Sequence, residues 1–383
     1  MPPPRSADPP RPIAAGDIVT GYGDRLGEWT AAQITGIDPH RHTVGLLDLD
    51  WSGPQPTSVG DLGTLAPLRL THHAHSGGLA HINVSWVRPR HVEIIGRTRV
   101  LVDRPAMSFG SEWKMGDQLA RQRRWDAGDT RTDTSGALRV TAAALGTAVE
   151  PAAPVWNLAV HQIDRLDCLD IVHRFPALTS LRLAGSLGML ANAQRLTELR
   201  GLRSLSLFDV YGMTATDCPR PENLPAMAKL ALHGVPAQYA RAARTHWSPE
   251  IANGTELTLS RPRTARWIAD NRDNPLRDWE GREHISSARY RAAVSQYRAT
   301  RGAVLEALAD GDTESSLVGL GRDYGRSFNE LDGTRRPFIE TDERDELVEA
   351  LAAMVTFAET ALGRSFPDAA HQLRTGLEQV RDW

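Results

Sequence analysis

The sequence predicts an α+β protein of several domains: a small β-rich domain over residues 16–106, a central array of strand-bearing repeats over 151–262, and a helical bundle over 263–383. Three observations lead there. An apolar-x-x-Leu-x-apolar motif recurs through the middle of the chain. Upstream of it, short apolar runs are separated by Gly, Pro and Asp turns. Downstream, apolar residues recur every three to four positions. At 383 residues the chain also exceeds one ordinary core, so division into domains is expected.

Five of the first ten residues are proline, and residues 1–15 read as a disordered arm. The arm lacks the basic-then-apolar order of a secretory signal. Apolar runs follow at 17–20, 29–37, 43–51, 68–71, 82–87 and 92–95. This many short strands in a short span describes a small barrel or half-open sandwich. Gly16, Asp17, Ile18 and Val19, followed by Trp29, Ala32 and Ile34, resemble the opening of SH3-like or Tudor-like barrels. Residues 107–150 are polar and rich in Gly, Thr and Asp, and read as a linker with one short helix ending near Trp125.

The repeats run Val155-x-x-Leu158-x-Val160, Leu178-x-x-Leu181-x-Leu183, Leu202-x-x-Leu205-x-Leu207 and Met227-x-x-Leu230-x-Leu232. A fifth copy, Leu257-x-Leu259, lacks the first apolar residue. Successive central leucines stand 23, 24, 25 and 27 residues apart, and this period is that of leucine-rich repeats. In such a coil the two apolar residues of the short strand point inward and the residue between them faces out. One coil cannot bury its own apolar side, so several must stack. Leucine-rich repeats usually carry Asn or Cys three residues after the last apolar position. Here Ile163, Ser186, Val210, Val235 and Pro262 stand there, so the predicted array is a short, irregular α/β solenoid. Residues 187–202 and 236–247 read as helical return segments.

In the last third, Tyr290, Val294, Tyr297, Arg301, Val304 and Leu308 share one helical face, as do Leu317, Leu320, Tyr324, Phe328 and Leu331. Thr341 reads as an N-cap, Leu347, Leu351, Met354, Ala358 and Leu362 as a core stripe ending at Gly363, and Pro367 as the start of a last helix. The segments 48–54, 68–75, 274–283 and 338–341 together resemble leucine-rich-repeat proteins of actinobacteria, some of which carry a gliding-motility label. That resemblance implies an architecture and no reaction.

Composition narrows the function. No run reaches the ~20 apolar residues that span a bilayer, and a net charge of −3 offers no general attraction to nucleic acid or anionic lipid. Two cysteines, Cys168 and Cys218, build neither a disulfide framework nor a four-thiolate metal site, which fits a reducing cytoplasm. Of 44 basic residues only Lys114 and Lys229 are lysine. So uniform an arginine bias reads as a coding preference, and arginine clusters such as Arg121, Arg123 and Arg124 read as solvated faces.

Site motifs divide accordingly. Asp48, Asp50, Ser52 and Gly53 imitate a calcium loop, but Val59 stands where its bidentate acid belongs. Gly21, Gly23 and Gly27 lack the spacing of a phosphate loop. His73 and His75, at strand spacing, could converge on a metal with His81 returning on the next strand. No carboxylate or thiolate stands at ligand spacing, so no metal and no cofactor are expected. Residues 274–284 crowd mixed charge around Trp279 and read as a functional loop or a salt-bridged connector. The leading expectation is a non-enzymatic, cytoplasmic interaction protein whose partner is another protein. Its contacts would be Ala159, Arg182, Ser206, Ala231 and Thr258 between the leucines, with Trp279 and Arg282. The alternative is an enzymatic or metal-binding module in the His-rich N-terminal domain.

Overall fold

The computed structural model describes residues 12–110, 112–130, 136–145, 154–311, 314–333 and 337–383. The expected arm therefore falls, up to residue 11, outside the described residues. The chain is α+β and divides into two compact units, Met1–Ala265 and Arg266–Trp383.

The first unit opens with strands β1 (Asp17–Gly23), β2 (Glu28–Asp38), β3 (Thr43–Gly53), β4 (Arg69–Leu70), β5 (Gly78–Leu79), β6 (His81–Ser85), β7 (Glu93–Arg97) and β8 (Ser108–Phe109). Six of them form one mixed sheet in the order β7-β1-β2-β3-β6-β8. Its outermost strands do not pair with each other among the described residues, so the sheet is open and the expected barrel is not closed. β8 is only two residues long and joins β6 in parallel, which leaves too little edge to complete a cylinder. Both faces are covered. Val19, Ala32, Ile34, Val44 and Leu46 pack on one side with Val84 and Trp113, and Ile18, Ala31, Leu49 and Leu62 on the other. β4 and β5 form a separate two-stranded ribbon, and α1 (Asp117–Asp126) follows.

The second sheet is wholly parallel. It contains β9 (Ala137–Thr141), β10 (Asn157–Asp167), β11 (Ser180–Ala191), β12 (Ser204–Tyr211), β13 (Lys229–His233) and β14 (Glu256–Ser260), each beside the next in sequence. α2 (Ala142–Leu145), α3 (Cys168–Arg174) and α4 (Ala237–Trp247) lie between strands. The register is the one the motif requires: Leu158 pairs with Leu181, Leu181 with Leu205, Leu205 with Leu230, and Leu230 with Leu257. Those leucines and the apolar residues flanking them form the largest core of this unit, with Phe175, Tyr239 and Trp247. β9 was not expected. Leu138 pairs with Leu158, so a span read as linker supplies the first strand of the sheet, 20 residues before the next. The segment 187–202 also departs from expectation, since β11 runs on to Ala191 and only the 3-10 turn Ala193–Glu198 follows. The cause is a close approach. A Cβ at Gly188 would stand 2.1 Å from the Ile163 carbonyl oxygen, so two bare glycines (Gly185 and Gly188) let β10 and β11 remain paired past a bulge.

Two residues after the second motif leucine or valine on β10, β12, β13 and β14, the backbone turns left-handed at Gln162, Asp209, Gly234 and Arg261. Only one of these is glycine, and a Cβ at Gly234 would meet Asp209 Oδ1 at 1.9 Å, so the Asp209 side chain would have to move to admit one. The bend that a side-chain ladder would support is therefore written in the backbone.

The second unit is helical: α5 (Ala265–Asn271), α6 (Ser287–Asp310), α7 (Glu314–Asp332), α8 (Thr341–Leu362) and α9 (Ala369–Glu378). Trp279, Tyr297, Tyr324, Phe328, Phe338 and Leu347 centre its core. Glu340, not Thr341, caps α8, sharing a reciprocal capping box with Glu343. α8 ends at left-handed Gly363, as expected. α9 begins two residues later than the predicted start at Pro367. No helix among the described residues is long and apolar enough to cross a membrane.

Candidate functional site

Along the parallel strands, alternation sends Leu into the core and the intervening residue to the opposite face. Ala159, Arg182, Ser206, Ala231 and Thr258 consequently line up across five strands, with Arg139 extending the row onto β9. All are at least partly exposed, Arg139, Arg182 and Thr258 the most so. One step further along the same face a second row reads Ala184, Phe208, His233 and Ser260. The rows are tied together. The Arg182 guanidinium lies 4.1 Å from the Phe208 ring centroid, Phe208 sits 6.0 Å from the His233 ring, and His233 Nδ1 is 2.8 Å from Ser260 Oγ. This gives a cation–aromatic–imidazole–hydroxyl track about three strand spacings long, or roughly 14 Å. Neither Arg139 nor Arg182 meets a carboxylate among the described residues. Reading two residues past each central leucine's neighbour would have found Phe208, His233 and Ser260 in the sequence.

The N-terminal ends of these strands are fastened to the first sheet. Ser204 Oγ donates to Glu112 at 3.0 Å, and Arg203 pairs with Asp24 at 3.0 Å. Arg90 donates to Glu250 at 2.9 Å, Thr255 Oγ1 at 2.7 Å and the Pro225 carbonyl at 2.8 Å. The face is thus carried on a braced platform.

The histidines sort differently from the prediction. His81 lies on β6 with Nε2 2.8 Å from Thr35 Oγ1, and burial, with the Arg104 cation, lowers its pKa below the ordinary imidazole value. It does not join His73 and His75. Buried His72 does, with Nδ1 3.1 Å from His73 Nδ1 and its ring 4.8 Å from that of His75.

Of the two loop residues expected to touch a partner, Trp279 is enclosed in the core and Arg282 is ion-paired within its own unit. Trp279 is 0% exposed, packs edge-on against Phe328 and Phe338, and donates from Nε1 to Glu346 at 2.6 Å. Arg282 is locked between Glu343 and Glu346. Burial alone would push the Glu343 carboxyl up; hydrogen bonds from Arg282, from its own amide and that of Glu340, and from His284 outweigh it and hold the carboxyl below its ordinary value. The charges of this loop are engaged in ion pairs within the helical unit. His284, Glu340 and Glu343 offer three donor atoms within 4.8 Å of one another, but Glu343 already accepts Arg282 and His284 at Oε1 and the Glu340 N–H at Oε2.

Both cysteines are buried and unpaired. Burial pushes the thiols up to about 12, with Asp167 and Asp217 adding to the effect at Cys168, so neither is a thiolate nucleophile near neutrality. Asp48 is raised to about 7 by burial and by the nearby Asp117 carboxylate. No family profile, no curated protein and no solved structure matches this chain.

Proposed function

We propose that the parallel sheet is a short leucine-rich-repeat array and that the protein is a non-enzymatic interaction protein whose exposed sheet face binds a polypeptide. The observation that carries this reading is the unbroken register of Arg139, Ala159, Arg182, Ser206, Ala231 and Thr258. Small side chains leave the floor open, and Arg182 with Phe208 supplies the kind of cation and aromatic anchor that dominates protein interfaces. An apolar ligand would find too little apolar surface there. The first sheet would add contact area or fix orientation, and two unpaired buried thiols fit a reducing, cytoplasmic setting.

Site-specific photocrosslinking tests it. A crosslinker at position 206 or 258 should yield discrete adducts in native lysate. One at exposed Gln238 or Arg241 of α4 should not, and Arg182→Glu with Phe208→Ala should abolish those from 206. Adducts of equal yield from the helix would refute the assignment of the face.

A further inference from the structure

The turn between β4 and β5 carries three imidazoles in four residues, and α1 grips it from beside. We propose that this turn is a transition-metal site in which His72 Nδ1 and His73 Nδ1 are two ligands and His75 is the third. It lies outside the sheet face and does not depend on that assignment.

The grip comes from two glutamines one helical turn apart. Gln122 Oε1 accepts the backbone N–H groups of Thr71 at 2.7 Å and His72 at 3.3 Å. Its Nε2 donates to Thr71 Oγ1 and Asp126 Oδ1, both at 2.7 Å. Gln118 Oε1 lies 3.1 Å from His72 Nε2. An amide oxygen can only accept, so the His72 proton sits on Nε2 and the Nδ1 lone pair is bare. That second contact, a ligand imidazole donating its far N–H to a fixed oxygen, is the usual outer support of a metal-bound histidine.

The bare lone pair faces His73 Nδ1 at 3.1 Å. Two imidazole nitrogens on a tetrahedral zinc at about 2.0–2.1 Å stand about 3.3 Å apart. Replacing the proton shared by the pair with a metal therefore moves them by only a few tenths of an ångström. His73 has φ +50°, a left-handed conformation that non-glycine residues keep only where the surroundings impose it. Its ring rests 5.2 Å from that of Trp125. His75 is held by its backbone N–H on the His72 carbonyl at 3.1 Å. Its nitrogens do not share the donor distance, but its ring lies 4.8 Å from that of His72, and its exposed side chain would complete the set by a change of rotamer on metal binding. With His73 and His75 open to solvent, an ion would enter directly and keep water in its remaining position.

The donor set selects the metal. All three ligands are imidazoles, no carboxylate bonds to them among the described residues, and Arg121 stands close enough to act on His72. Mg²⁺ and Ca²⁺ require oxygen donors. Zn²⁺, Ni²⁺ and Cu²⁺ form bonds to imidazole strong enough to bind beside a cation.

The full chain, stripped with chelator and titrated with ZnCl₂ by calorimetry, should take up one equivalent. His73→Ala should abolish that saturable uptake. Gln118→Leu, which keeps every ligand but releases the tautomer, should weaken it about 10–100-fold. His284→Ala should leave it unchanged, and circular dichroism should show all variants folded. Absence of saturable uptake by the wild type, uptake that survives His73→Ala, or an affinity untouched by Gln118→Leu would each overturn the proposal.

Discussion

Removing Arg282 separates a structural cation from a surface contact. In Arg282→Ala the Glu343 carboxylate, with 2% of its side chain exposed, loses its main counter-ion, and Glu346 loses one of its two partners. Breaking a buried pair by deleting one member costs about 3–5 kcal/mol. Arg282 itself keeps 22% of its side-chain surface and Glu346 keeps 31%, so the lower end, about 3 kcal/mol, is expected. For a unit of this size that lowers the melting temperature by about 10–20 °C. The pH dependence has a definite sign. Glu343 is depressed in the folded protein, so its contribution is present above its ordinary value of 4.5 and lost as pH falls through the depressed value. The variant can escape its penalty by protonating Glu343, so the gap between wild type and variant should narrow from pH 7 toward pH 4. Thermal melts by circular dichroism across that range measure it. A variant that melts with the wild type but loses crosslinking to a partner would show that Arg282 is a contact residue after all.

Other consequences follow from the same geometry. Asp48 is raised from 3.8 to about 7 in the folded state, so the fold binds the extra proton and stability falls as pH climbs through that window. Asp48→Asn should be neutral near pH 4 and stabilise by about 2 kcal/mol at pH 8, discounted from a ceiling of about 4 kcal/mol because the residue is not wholly buried; urea midpoints at the two pH values check it, and equal midpoints would count against the enclosed carboxyl. Leu205→Ala, at a site with 0% exposure in the centre of the parallel sheet, should cost about 3–4 kcal/mol. Thr258→Ala on the opposite face should stay within about 0.5 kcal/mol; a reversal of that order in urea unfolding would invert the two faces.

What the sequence could show depended on how local the signal was. Leu158, Leu181, Leu205, Leu230 and Leu257 are legible because alternation and a near-constant interval are properties of the chain itself. β9 escaped because Ser135 stands three residues before Leu138, where four other copies have an apolar residue, and because its surroundings are those of a loop. Trp279 misled for the opposite reason. Charged neighbours suggested a surface, while the groups that bury it, Phe328, Phe338 and Glu346, lie some fifty or more residues away. For the histidines, strand periodicity paired His73 with His75 and reached for His81. The chain is a turn there, with His73 left-handed, so neighbours in sequence become neighbours in space and His72 takes the place assigned to His81.

The intervals between paired leucines rise steadily along the parallel sheet, from 20 through 23, 24 and 25 to 27 residues. Strand spacing is fixed by backbone hydrogen bonds, so the surplus chain collects on the far side, and the stack is a graded series rather than a set of interchangeable copies. Arrays of near-identical units misassemble when one unit docks in its neighbour's place. Here a one-place slip would pair each strand with a return segment of the wrong length. Gly188 beside Ile163 and Gly234 beside Asp209 would lose the close approaches they are matched to. The gradation works as an address for each strand, at the cost of the freedom to lengthen the array by duplicating a unit.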